Sequence, residues 1–217
     1  MSYKSIFNVV GVVALLAVAL TGCVDDNGGN PGGGPGVTPS VTKGTFVDSR
    51  DGKTYKKVTI GGKTWMAENL NYAAEGSKCY EDNPSNCAKY GRLYNWATAL
   101  PACPAGWRLP TDDEWAALVD YAGGEETAGK KLKSASGWVY YSDADKGTDN
   151  YGFSALPDGY GTSGGRFSDA GTSGTWWSAT EYGATYAWTL AMVSGFDRVY
   201  RTYRNTTFLY SVRCVED

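Results

Sequence analysis

The sequence predicts an α+β fold: one loop-rich, irregular domain with two main helices, short antiparallel strands and two disulfides. Three observations predict it. Strand-like segments come first, two helical segments follow, and strand-like segments return after a long Gly/Ser/Thr-rich stretch, an order without βαβ alternation. Of 217 residues, 29 are Gly, 16 Tyr and 8 Trp while 20% are charged, the composition of an ordered chain with much irregular structure. Five cysteines are present, and four of them fall within the part expected to fold.

The elements follow in order. Phe46-Val47 and residues 55–60 read as strands joined by Asp51-Gly52, a strong hairpin turn. Gly61-Gly62 makes a second turn before the strand at residues 63–66. Residues 87–100 read as a helix, with Tyr90, Leu93, Tyr94 and Ala97 on one face and Pro101 as its stop. Thr111 and Glu114 form a capping box that opens a second helix, with Trp115, Leu118 and Val119 inward and Gly123-Gly124 at its end. Residues 126–132 suggest a third, short helix. From Ser134 onward the composition is that of long loops with short strands. Residues 186–192 and 199–203 pair as a hairpin, and residues 210–215 form a last strand.

The first 40 residues read as delivery. Lys4 precedes an apolar run at residues 9–20, too short to span a bilayer, which needs about 20 residues, and right for a signal peptide. Leu20-Thr21-Gly22-Cys23 resembles a bacterial lipobox, so residues 1–22 are expected to be removed and Cys23 to carry the lipid. Asp25 and Asp26 behind it are similar to a surface-export signal of outer-membrane lipoproteins. Residues 27–40 hold six Gly and three Pro, a flexible linker with a reach of roughly 20 Å. The expected organisation is signal 1–22, lipidated linker 23–44 and domain 45–217. The chain is thus expected to be exported and anchored by lipid to the outer membrane, with its domain at the cell surface.

Charge and residue types exclude several functions. Twenty Lys+Arg against 23 Asp+Glu leave a net charge of −3 and no basic face for nucleic acid. There is no His, so His-dependent triads and His-ligated metals are out. With Cys23 lipidated, Cys79, Cys87, Cys103 and Cys214 remain, and four cysteines allow three pairings. Cys79–Cys87 with Cys103–Cys214 is favoured, because the first brackets a turn around Asn83-Pro84 and the second ties mid-domain to the last strand.

Residues 64–72 (Thr-Trp-Met-Ala-Glu-Asn-Leu-Asn-Tyr), 90–96 (Tyr-Gly-Arg-Leu-Tyr-Asn-Trp), 103–111 (Cys-Pro-Ala-Gly-Trp-Arg-Leu-Pro-Thr) and 149–157 stand in one order, and Ser211-Val212-Arg213-Cys214-Val215 closes it. The set closely resembles the Fibrobacter succinogenes major paralogous domain over residues 46–217. That family is in turn distantly similar to C-type-lectin-like and sulfatase-modifying-factor folds, the latter through residues 106–115. The resemblance implies an α+β fold with little regular structure and a disulfide ending on the last strand. It implies no reaction. The copper-binding relatives need paired reactive thiols near the C-terminus, where Cys214 stands alone, and the iron-binding relatives need histidines.

The sugar-binding tripeptides of C-type lectins are absent. Asp143, Asp145 and Asp149 resemble the start of a calcium loop, but Ser154 stands where an EF-hand needs Glu. Calcium there is the single cofactor left open. Glu68, Glu114 and Glu181 do not mark a catalytic pair. The remaining signal is aromatic. Trp176, Trp177, Tyr186, Tyr200 and Tyr203 lie among Arg198, Arg201 and Arg204, a mixture suited to stacking on sugar rings and fixing hydroxyls. Trp188, Trp107 and Trp115 are assigned to the core. The expected function is a non-catalytic surface module that binds a polysaccharide or glycan through the 186–203 hairpin and the 158–183 segment. A structural surface protein with protein partners, or an enzyme of the modifying-factor type, are the alternatives.

Overall fold

The computed structural model describes residues 41–217; Cys23, the expected signal and most of the linker lie outside them. The first strand, β1 (Thr42–Val47), starts three residues before the expected domain boundary and pairs antiparallel with β2 (Thr54–Ile60). The turn after β2 uses Gly61 and Gly62, both at positive φ (60° and 81°), the backbone that a two-residue hairpin demands. It leads into β3 (Lys63–Met66).

The expected helix over residues 87–100 is instead three pieces: α1 (Pro84–Tyr90), β4 (Leu93–Tyr94) and α2 (Trp96–Ala99). Gly91 breaks it. Its φ of 81° and ψ of −165° are reached readily only by glycine, and a Cβ there would lie 2.9 Å from both Asn69 Cβ and the Leu70 carbonyl oxygen. The apolar spacing was real in part, since Tyr90, Leu93 and Tyr94 are buried, but Ala97 is exposed. Beyond β5 (Trp107–Arg108), α3 (Asp112–Tyr121) begins with the expected capping box, and α4 (Glu125–Leu132) is the short third helix.

The long stretch then forms β6 (Asp158–Gly161), β7 (Phe167–Ala170) and the nine-residue β8 (Ser173–Glu181). The expected hairpin is β9 (Tyr186–Val193) with β10 (Val199–Asn205), in register from Val199↔Met192 to Asn205↔Tyr186. The expected last strand is divided. β11 (Tyr210–Ser211) joins one sheet and β12 (Val215–Glu216) the other, because the chain crosses between them at residues 212–214.

The two sheets run β1-β2-β3-β12-β5 and β10-β9-β8-β11-β4, with β6 and β7 added beside β8. Two buried clusters lie around the second sheet. One joins Trp65, Trp115, Phe153, Trp176, Leu190 and Met192; the other joins Met66, Leu70, Tyr94, Trp177, Tyr210 and Val212. Trp176 and Trp177 therefore serve different clusters, since neighbours on a strand point to opposite faces. Trp65 and Trp115 pack with ring centroids 4.9 Å apart, a contact worth about 0.5–1.5 kcal/mol beyond area burial. Cys79–Cys87 and Cys103–Cys214 are the disulfides. Among the described residues no helix is long and apolar enough to cross a membrane.

Candidate functional site

The candidate site lies on the β8–β9–β10 part of the second sheet, on the face that Trp177 shares. Alternation on β10 sends Tyr200, Thr202 and Arg204 to this face, opposite Ala191, Thr189 and Ala187 of β9. On β8, Thr175 lies opposite Ala191. Small side chains on the middle strand thus sit between larger ones, and a trough results. Its volume is about 440 Å³, lined by Ser173, Thr175, Ala191, Val193, Tyr200, Arg201, Thr202 and Arg204. An adjoining hollow of about 230 Å³ shares Ser173, Thr175 and Arg204 and adds Tyr160, Asp169, Phe208 and Tyr210.

The arginines divide by partner. Arg198 Nη2 lies 3.2 Å from Glu126, and its guanidinium sits over the Tyr200 ring at 4.9 Å. Arg201 meets Asp112 at 2.5 Å, a hydrogen-bonded ion pair that raises the guanidinium pKa and spends its charge on the start of α3. Arg204 donates to Thr202 Oγ1 at 3.3 Å and to the Tyr203 carbonyl at 3.2 Å, and has no carboxylate partner among the described residues. Burial pushes the Tyr210 phenol up to about 12, so its hydroxyl remains a neutral donor beside Arg204.

The sequence-predicted residues are not all brought together. Trp176 and Trp177 are corrected outright as ligand contacts: both are fully buried. Their indole N–H groups donate to Asn69 Oδ1 at 2.9 Å and to the Tyr94 carbonyl at 2.7 Å. Tyr186 and Tyr203 sit on the opposite face from Tyr200. There Tyr203 stacks on Tyr182 at 3.9 Å and meets Tyr186 edge-on, with the half-buried Trp188 beside them. Tyr200 alone among the expected rings faces the trough. Of the expected arginines, Arg204 lines both the trough and the hollow, whereas Thr175, Tyr160 and Phe208 were missed as individual residues.

The calcium candidate does not assemble. Asp143 pairs with Lys146 at 2.6 Å, and Asp149 accepts from the Ser154 backbone N–H at 2.7 Å and from its hydroxyl at 2.6 Å. Among the described residues no group of three or more acidic or thiol side chains could hold a metal.

The recurrent motifs resolve into structural roles. Glu114 receives two 2.7 Å hydrogen bonds from Arg108 and a 2.9 Å contact from Lys63, which with its capping role hold its carboxyl down at about 2. It clamps α3 to β5 and β3. Glu68 accepts from the Lys56 backbone N–H at 2.8 Å. Asn69 sits at the centre of a buried network. Its Oδ1 accepts from Arg213 Nε at 2.8 Å and from Trp176, and its Nδ2 donates to Asp158 Oδ2 at 2.7 Å and the Tyr90 carbonyl at 2.9 Å.

Residues 58–216, well over half of the chain, match the family described as the Fibrobacter succinogenes major domain. The chain belongs to this family. The Fibrobacter succinogenes major domain match takes in α1–α4 and β3–β12, and leaves β1 and the start of β2 outside it. No curated protein and no solved structure matches the chain.

Proposed function

We propose that the chain is an exported lipoprotein, held at the outer membrane through Cys23, whose domain is a non-catalytic surface module that binds a polysaccharide or glycan. The observation that carries the reading is the trough and hollow around Arg204. Tyr200, Tyr160 and Phe208 offer ring surface, Ser173 and Thr175 offer hydroxyls, and Arg204 offers donors not spent on a carboxylate. Stacking faces with a few convergent polar groups are what sugar rings require. The non-catalytic part is supported by the roles of Glu68 and Glu114 in folding and by the use of four cysteines in disulfides. The lipid anchor is supported by the apolar run and the Leu-Thr-Gly-Cys sequence at residues 20–23. No cofactor is part of the reading.

The test uses the full chain carrying Cys23→Ser, oxidised, mixed with insoluble cellulose, xylan and chitin. Saturable retention on one polymer is expected. Arg204→Gln and Tyr200→Ala each weaken it about tenfold, equivalent to about 1.4 kcal/mol, without lowering the thermal midpoint. Retention on none of them, or retention that both variants leave intact, overturns the assignment of the trough.

A second reading, docking of a protein partner, is favoured by a different patch. Val139, Tyr141 and Phe196 are exposed, Tyr141 at 77%, and the Tyr141 ring lies against Gly195 in the β9–β10 turn. Capture of a partner lost on Tyr141→Ser would favour it over the glycan reading.

A further inference from the structure

A larger cleft, of about 730 Å³, lies across the β6–β7 ribbon from the trough. Tyr160 faces the hollow beside the trough, whereas Phe167, paired with Gly161, faces the cleft, as alternation requires. The cleft volume falls within the roughly 300–1,000 Å³ of small-ligand sites. Its walls come from the β6–β7 turn, the residues entering α2 and the segment after β10.

Two rings are held in place there. Trp96 donates its indole N–H to the Ser178 carbonyl at 2.8 Å, and Phe167 packs on Tyr80 at 5.4 Å. The polar groups between them are uncommitted. Asn95 spends its Oδ1 on the Thr98 backbone N–H at 2.9 Å, which leaves its amide donors free. Ser163 and Thr206 line the cleft, and their hydroxyls make no hydrogen bond to the described residues. The only ionic groups on the lining, Lys78 and Asp82, are bonded to each other at 3.2 Å.

A lining of ring faces, spare hydroxyls and a spare amide, with its charges already neutralised, suits a ligand that is itself neutral and rich in hydroxyls. A charged ligand would lose hydration here without gaining an unpaired counter-charge. Hydroxyl and amide groups both give and receive hydrogen bonds, as sugar hydroxyls do. We propose that this cleft is a second carbohydrate site, taking a short neutral oligosaccharide between Trp96 and Phe167 and reading its hydroxyls through Asn95, Ser163 and Thr206. It shares a ligand class with the trough and none of its residues, so each site stands or falls alone.

The experiment is calorimetric titration of the full Cys23→Ser chain with cellopentaose, xylopentaose and chitopentaose. One of the three is expected to bind. The double variant Ser163→Ala/Thr206→Val, which removes two hydroxyls and little volume, should weaken it about tenfold or more, a loss of about 1.4 kcal/mol. Asn95→Asp keeps the capping oxygen, removes the amide donors and should weaken it too. Ser163→Trp, at an exposed turn position, should block the cleft without disturbing the fold. Arg204→Gln should leave oligosaccharide binding unchanged. Absence of heat with all three sugars overturns the proposal, and so does binding that the cleft variants leave intact. Polymer retention lost on Arg204→Gln while the cleft variants behave as wild type would keep the trough and remove the cleft; the converse would do the reverse.

Discussion

Asn69 shows how one side chain can organise this interior. It is almost fully buried and joins Arg213, Trp176, Asp158 and the Tyr90 carbonyl. Arg213 is buried as well and spends its remaining donors on the Phe153 and Ser154 carbonyls, with its guanidinium 4.3 Å from the Phe153 ring. Asp158 accepts from Ser211 and Asn69, yet burial outweighs those bonds and pushes its carboxyl up to about 8. The unfolded chain would lose that proton near its ordinary value of 3.8. Between these two values the unfolded state holds fewer protons than the folded one, so stability falls as pH rises through the window. The urea midpoint of the wild type should therefore drop, relative to Asp158→Asn, between about pH 5 and about pH 8. Parallel curves for the two proteins would show that Asp158 is ionised throughout.

At the scale of elements, Gly91 and the Arg108–Glu114 clamp decide where helices stop and start. A side chain at Gly91 must adopt backbone angles that only glycine reaches readily, a cost of about 1–3 kcal/mol, and would press on Asn69 and Leu70 besides. Gly91→Ala should lower the urea midpoint accordingly and disturb the indole signal of Trp176, whose N–H bonds Asn69. An unchanged midpoint would mean that the end of α1 can move away from Asn69 and Leu70 at no cost. The helical pattern of residues 87–100 misled because Leu93 and Tyr94 are buried by pairing with β11 rather than by a helix face. By contrast Thr111 and Glu114 are local in sequence and in space, and the start of α3 was legible for that reason.

For the whole molecule, the long-range disulfide is the feature with the most reach. Cys103–Cys214 closes a loop of sequence separation 111, whereas Cys79–Cys87 spans 8. In the loop-entropy account the first restrains the unfolded chain by about 5 kcal/mol and the second by about 2.5 kcal/mol. Cys103→Ala/Cys214→Ala should thus lower the denaturation midpoint more than Cys79→Ala/Cys87→Ala under the same conditions. The opposite order would place the cost in native packing around α1. The bond also fixes the end of a chain whose last strand, β12, is inserted between β3 and β5.

The sequence by itself determined the fold class, the hairpin turns, the α3 cap, the β9–β10 hairpin and the family, because each rests on signals that neighbouring residues carry. The disulfide partners were legible too, from the turn they bracket and from the position of Cys214 near the end of the chain. Only the tertiary structure decided which aromatics face solvent. Trp176 and Trp177 look like a ligand platform in sequence, but a strand buried on both faces sends one to each cluster. Tyr200 and Tyr203 look like one patch, but their odd spacing places them on opposite faces of the sheet. The trough and the cleft each gather residues from segments far apart in the chain, and no local periodicity records which loops meet. Burial and proximity are sums over the whole packed chain, whereas turns, caps and strand alternation are decided within a few residues.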